Sequence, residues 1–258
     1  MKRFLGLVRY EYAMSTRRWS MWLGYGLLYI FYGAMILTDA ERIDAALNTV
    51  PALWSEVGHV VFAANMFACL LGGIIAADRL YRDKRLGLAE LQQSTPLRCG
   101  TYLAAKYLGT VVSVLTPALI LVLGLSGAEI ILGASPVVIP MTLAAFLAVM
   151  VPSYLFVTAF SLACPLFMPL RVYQVLFTGY WFWGNYLSPQ AFPTISDTLL
   201  NAGGTYAVQG FFDYSFSGSE TSLYTPTQAV LNIAVLMGCA LAVLILLERY
   251  YACQARKA

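Results

Sequence analysis

The stretch AADRLYRDKRLGLAELQQSTPLRCG, residues 76–100, lies between two long apolar runs, yet it holds five of the sixteen basic residues of the chain. Arg79, Arg82, Lys84, Arg85 and Arg98 are joined there by Asp78, Asp83 and Glu90. The rest of the sequence is far poorer in charge. Of 258 residues, 60% are hydrophobic and 11% are charged, and the mean hydropathy is +0.70. A water-soluble domain carries about 25% charged residues. The composition is that of a chain whose main solvent is a bilayer. Residues 76–100 then read as a segment that returns to water between two crossings.

Crossing about 30 Å of hydrocarbon takes roughly 20 mainly apolar residues in a helix. Outward from the charged stretch, six runs qualify: residues 21–38, 57–77, 103–125, 137–164, 172–187 and 229–247. The fourth is long and carries Pro152, which predicts a kink; the fifth is short. The runs are too long, and too continuous, for the alternating strands of a membrane barrel. The expected fold is an all-α membrane protein with six transmembrane helices, in one domain spanning residues 1–258.

Six crossings place both termini on one side. Lys2, Arg3, Arg9, Arg17 and Arg18 then share a face with the basic residues of 76–106, with Arg171, and with Arg249, Arg256 and Lys257. That face takes fifteen of the sixteen cations and leaves only Arg42 opposite. Basic residues collect on the cytoplasmic side of a membrane protein, so a multi-pass protein with both termini cytoplasmic is expected. Residues 1–20 form a candidate amphipathic helix. At about 100° per residue, Phe4, Leu5, Val8, Tyr12 and Trp19 share one sector and Lys2, Arg3, Arg9 and Arg17 lie opposite, a pattern suited to the membrane surface. The run is broken by Arg9 and Glu11, so it lacks the continuous apolar core of a signal peptide.

The outer loop, residues 188–227, contains no Lys, Arg or Cys but many aromatics, among them Phe192, Tyr206, Phe211, Phe212, Tyr214, Phe216 and Tyr224. Within it PTISDTLLNAGG predicts a short helix, with Ser196 as its cap and Gly203–Gly204 as its end. The aromatics predict that the loop folds back on the outer leaflet.

Several chemistries are disfavoured. The net charge of +3 is too small to point to nucleic acid. Cys69, Cys99, Cys164, Cys239 and Cys253 are widely and irregularly spaced, which fits neither a zinc site nor a disulfide framework. One histidine, His59, excludes an HExxH site. No G-x-S-x-G elbow appears, and no phosphate-binding loop of the G-x-x-x-x-G-K-[ST] type. Every acidic and basic residue fits a loop or the end of a span, with Glu56, Glu129 and Glu248 at edges that reach water. No mid-depth charge is expected of the kind an ion-coupled transporter uses. The polar residues inside spans read mainly as interhelical hydrogen-bond partners; Asn65, Tyr154, Thr158, Asn185 and Asn232 are also candidates to line a translocation path. Work done by this chain on a cargo would need energy from another subunit.

The stretch RDKRLGLAELQQSTPLRCGTYLAAKYLG resembles the cytoplasmic coupling region of ABC-type-2 exporter permeases. Arg82, Asp83, Gly87, Glu90, Leu91, Ser94, Thr95, Pro96 and Lys106 carry the likeness. Arg9 and Glu11 resemble the basic–acidic pair of that family's N-terminal elbow helix, although the family more often has Lys before Glu and Tyr10 intervenes here. The resemblance implies a permease that works with a second, identical or homologous, permease and with a pair of cytoplasmic ABC ATPase subunits in a bacterial-type plasma membrane. It places the elbow in residues 1–20, a coupling loop in 78–100 and an extracellular loop with short helices in 188–227. ATP and Mg would bind the ATPase, and no cofactor is expected on this chain. The implied coupling residues are Arg9, Glu11, Arg82, Asp83, Arg85, Gly87, Glu90, Ser94, Pro96 and Arg171. Arg82, Asp83, Arg85 and Glu90 would lead in pairing with the ATPase. Uncharged spans suit an amphiphilic or hydrophobic cargo such as a lipid-linked molecule, a peptide or a drug-like compound. Two other readings stay open: a membrane-embedded enzyme acting on lipid through Asp197, Asp213 or Glu220, and a membrane scaffold or sensor that transports nothing. Alanine at the three acids tests the first, and cargo-indifferent ATPase activity after reconstitution marks the second.

Overall fold

A computed structural model describes residues 2–38, 49–87, 99–188, 192–216 and 224–255. Their regular structure is all helical, with no strand among the described residues. The order is α1 (Lys2–Thr16), α2 (Trp19–Thr38), α3 (Val50–Arg85), α4 (Cys99–Ile131), α5 (Val138–Ala145), α6 (Val151–Ala163), α7 (Leu170–Asn185), α8 (Thr205–Phe212) and α9 (Pro226–Ala255). A π turn, Phe146–Met150, joins α5 to α6, and a 3₁₀ turn, Cys164–Leu166, follows α6.

Five of these runs are long and apolar enough to cross a membrane: α2, α3, α4, the continuous Val138–Leu166 and the body of α9. That is consistent with an all-α membrane protein. The sixth expected crossing is α7, whose 16 residues span only about 24 Å at 1.5 Å per residue. The helices also outrun the apolar stretches that predict them. The second crossing was expected over 57–77, yet α3 starts at Val50, where Thr49 accepts a hydrogen bond from the Ala52 amide, and ends at Arg85. The charged residues 78–85 continue the helix of the second crossing.

α3 is the hub, packing on α2, α4, α5, α6, α7 and α8. A polar node ties four of these helices together. The Tyr25 hydroxyl of α2 lies 3.0 Å from the Tyr154 hydroxyl of α6 and within 3.3 Å of the Ala68 carbonyl of α3 and the Val114 carbonyl of α4. Burial inside an apolar bundle requires such partners. The irregularity expected at Pro152 takes the form of the π turn just before it, which widens the helix where the proline ring would meet the carbonyl one turn back. By contrast α2 and α9 turn Leu27, Ile30, Leu241 and Leu246 outward, as helices bordering hydrocarbon do.

The predicted helix over 193–204 is absent. Side chains intercept the backbone groups that it would need. Asn201 Nδ2 donates to the Ser196 carbonyl at 2.6 Å, and the Leu200 amide donates to Thr198 Oγ1 at 3.3 Å. Ser196 donates to the Leu187 carbonyl instead of capping a helix. The glycine pair does not end a helix but precedes one: Gly204, at φ 96°, turns the chain into α8.

This outer segment is held from below by asparagines. Asn185 Oδ1 at the end of α7 accepts from the amides of Ala202 (2.6 Å) and Gly203 (3.0 Å). Asn65 of α3 donates to the Gly203 carbonyl at 3.0 Å and to Ser153 at 3.2 Å. Asn232 of α9 donates to the carbonyls of Leu199 and Asn201, both at 2.9 Å. All three asparagines are buried. Asn185→Ala would orphan the buried Ala202 amide, at about 1–3 kcal/mol, whereas the Gly203 amide keeps its bond to Asn201 Oδ1 at 2.7 Å. We expect hydrogen exchange at Ala202 to speed up by roughly tenfold or more, while exchange in α4 stays as it was. Unchanged exchange at Ala202 would contradict this anchoring.

Candidate coupling site at the charged end of the bundle

Near the end of the bundle that carries α1, four ionisable side chains from three helices turn inward. Glu11 comes from α1, Arg79 and Asp83 from the last two turns of α3, and Lys106 from the second turn of α4; none is more than 8% exposed. Lys106 Nζ stands 2.6 Å from Asp83 Oδ2 and 3.2 Å from Glu11 Oε2. Tyr102, one turn before the lysine, donates its hydroxyl to the same Asp83 oxygen. Arg79 Nη1 lies 3.8 Å from Glu11 Oε1, an ionic contact without a hydrogen bond. Two carboxylates face two cations, so the cluster is formally neutral.

Local sequence explains the convergence. Asp83 and Arg79 are four residues apart and share a face of α3. Tyr102 and Lys106 do the same on α4. The third member of that stripe, Gly109, lets α1 approach: a Cβ there would sit 2.7 Å from Glu11 Cβ and 3.0 Å from the Val8 carbonyl. A glycine at this position admits the backbone of α1 where a side chain would push it away.

The face that α1 turns to the bundle overlaps its apolar sector only in part. Glu11 and Ser15 are buried, and Phe4, Leu7, Val8 and Met14 are half-buried, whereas Leu5 is 60% exposed. Ion pairing draws the inner face some way round from the apolar sector. Trp19 is 79% exposed and starts α2 instead of extending α1. A cavity of about 300 Å³ opens beside the cluster, bounded by Tyr10, Met14, Arg82 and Leu86 as well as the ionic residues.

The expected coupling residues divide into two groups. Glu11 and Asp83 are paired with Lys106 inside the bundle. Arg9, Arg82, Arg85 and Arg171 are exposed; Arg82 donates to the Met14 sulfur at 3.5 Å. Gly87, at φ 66°, closes α3. Glu90, Ser94 and Pro96 lie outside the described residues. Sequence reasoning missed Arg79 and Tyr102 as members, and missed Lys84, whose ammonium donates to the Leu166 carbonyl at 2.9 Å and ties α3 to the α6–α7 turn. The spacing of 79 with 83 and of 102 with 106 was the available signal.

The expected path residues are occupied as well. Asn65, Asn185 and Asn232 anchor the outer segment and Tyr154 belongs to the Tyr25 node. Thr158, also buried, has no hydrogen bond from its hydroxyl among the described residues. At the opposite end, Glu129 was expected at a watery edge but is 3% exposed, because α4 runs on to Ile131 and α5 packs beside it, joined by Ser126 and Thr142 at 2.6 Å. His59 stacks on Tyr214 and lies 3.6 Å from Glu56. All five cysteines are free, and no group of His, Cys, Asp or Glu among the described residues is placed to hold a metal.

No protein-family model matches the chain, and no curated protein matches it.

Breaking a buried ionic group by removing one partner costs about 3–5 kcal/mol, because the remaining charges stay buried. Lys106→Met, which leaves Asp83 without a cation and Glu11 with only the 3.8 Å contact to Arg79, should lower thermal stability in detergent by that order. Arg85→Met, at an exposed position, should cost no more than about 0.5 kcal/mol. Equal losses for the two variants would contradict the assignment of Lys106 as the centre of the cluster.

Proposed function

We propose that this chain is the transmembrane permease subunit of an ATP-driven exporter of the ABC-2 kind. It pairs with a second permease, identical or homologous, and is driven by a separate pair of cytoplasmic ATPase subunits that bind ATP and Mg. In this reading α7 makes a sixth crossing, α1 is the elbow helix, both termini are cytoplasmic and the membrane is a bacterial-type plasma membrane. The cargo is amphiphilic or hydrophobic, in keeping with spans that expose little charge.

One observation supports the reading above the rest: the ionic cluster joins α1 to the two helix ends that flank residues 88–98. Asp83 lies three residues before α3 gives way to Gly87, and Lys106 lies seven residues after α4 begins at Cys99. A displacement of residues 88–98 by a soluble partner therefore reaches α1 and the hub helix together. The exposed Arg82 and Arg85 add cations at the helix end just before that segment, and the sequence holds no G-x-x-x-x-G-K-[ST] loop that would supply the motion itself. Exposed ion pairs contribute only about 0–1 kcal/mol, so contacts to the ATPase act by position more than by strength.

Glu90→Arg tests the proposal. The variant should insert in the membrane normally, retain the stability of the unmodified chain and lose either co-purification with its ATPase or the stimulation of ATP hydrolysis by cargo. An ATPase complex that forms and couples undiminished in the variant would overturn the reading, as would cargo movement by the purified chain with no nucleotide-hydrolysing companion.

A further inference from the structure

An apolar groove of about 430 Å³ runs along one flank of the bundle, between α6, α7 and α9. Its lining includes Cys164 and Met168 at the α6–α7 turn, Leu176 and Tyr180 along α7, Cys239 on α9, and Leu200 in the outer segment. The groove therefore extends from the end of the bundle that bears the termini to the opposite end. No charged side chain lines it. Its one strongly held polar lining group, the Tyr173 hydroxyl, is engaged with Ser161 at 2.9 Å. Among helices that border a bilayer, the solvent available to such a groove is hydrocarbon.

The two ends of the groove differ in charge. At the α6–α7 turn, Arg171 is exposed and makes no ion pair among the described residues. It falls between two groove residues, Met168 and Tyr173. It also lies in the first turn of α7, whose N-terminus has no side-chain cap and so presents free amides and the positive end of the helix dipole. Lys84 adds a second cation, an ammonium, at the same turn through its bond to the Leu166 carbonyl. At the far end, residues 188–227 contain no Lys or Arg at all. A ligand that fits this arrangement has a long apolar chain and one anionic group at a single end.

We infer that the groove seats an acyl chain of an anionic glycerophospholipid from the leaflet on the side of the termini, with the lipid phosphate held at the start of α7 by Arg171. The hydrocarbon fills the space between α7 and α9, and the phosphate accepts from the guanidinium and from the uncapped amides. This site does not depend on an ATPase partner. It is occupied by the chain alone in a bilayer, and so it can fail or stand separately from the exporter reading.

The test uses the purified chain, without ATPase, in nanodiscs of phosphatidylcholine that carry phosphatidylglycerol or phosphatidylcholine with a photoreactive acyl chain. Cross-linked peptides are located by mass spectrometry. Phosphatidylglycerol should label the peptides bearing Cys164, Leu176 and Cys239 in preference to the outward face of α2 at Leu27 and Ile30. Arg171→Ala should reduce the phosphatidylglycerol-to-phosphatidylcholine labelling ratio at the groove roughly fivefold, the factor expected for one basic side chain near a lipid phosphate. Arg171→Lys should retain most of it. Leu176→Trp, which fills the groove at a partly exposed position, should reduce groove labelling by both lipids. Labelling spread evenly over α2 and the groove would overturn the site, and so would a ratio indifferent to Arg171→Ala.

Discussion

The ammonium of Lys106, held between the carboxylates of Glu11 and Asp83, is the constraint on which the charged end of this protein depends. An amphipathic helix of 15 residues has little reason to be fixed against a bundle by its apolar contacts alone, and α1 leaves Leu5 and Tyr10 outward. What fixes it is charge. Once Lys106 and Arg79 are committed to the interior, they require carboxylates, and α1 and α3 supply one each. Gly109 then determines how near α1 can come. The position of α1, the direction in which α3 leaves the bundle and the entry of α4 are three consequences of one neutral cluster.

The opposite end follows a different rule. Residues 188–227 carry no Lys or Arg, and the outer segment is secured by neutral amides that satisfy its backbone. Asn185, Asn65 and Asn232 come from three helices and converge on residues 199–203. Irregular backbone at this depth is tolerated where protein groups meet its hydrogen-bonding needs. One end of the molecule is thus joined by ion pairs among side chains, and the other by side chains that bind main chain. The first kind of joint transmits displacement between helices; the second fixes a segment in place.

Much of this was legible in the sequence. Long apolar runs announce the helices, because a bilayer demands continuous hydrophobicity over a fixed length. The density of charge at residues 76–100 marked the end of the bundle where Arg79, Asp83 and Lys106 meet. What the sequence did not disclose is which charges turn inward. Asp83 and Arg82 are neighbours of opposite sign, and only the meeting of three helices decides that the first is buried and the second exposed. The turn chemistry of residues 193–204 was misread for a related reason. Ser196 and the glycine pair are ordinary helix punctuation, but Asn201 takes the Ser196 carbonyl for its own amide, and a residue-by-residue reading does not see that competition. Glu129 was placed at the water's edge because the apolar run stops near Leu125, whereas hydrogen bonding carries α4 to Ile131.

The claim at the centre of the account is that α1 and the segment after α3 move as one body because Glu11 and Lys106 are joined. Hydrogen exchange of the chain in complex with the proposed ATPase, compared with and without nucleotide, measures it directly. The account predicts that protection changes in residues 4–15 accompany those in residues 86–99, and that Glu11→Gln abolishes the former while the latter persist. Exchange in α1 that ignores nucleotide, or that responds equally in Glu11→Gln, would contradict it.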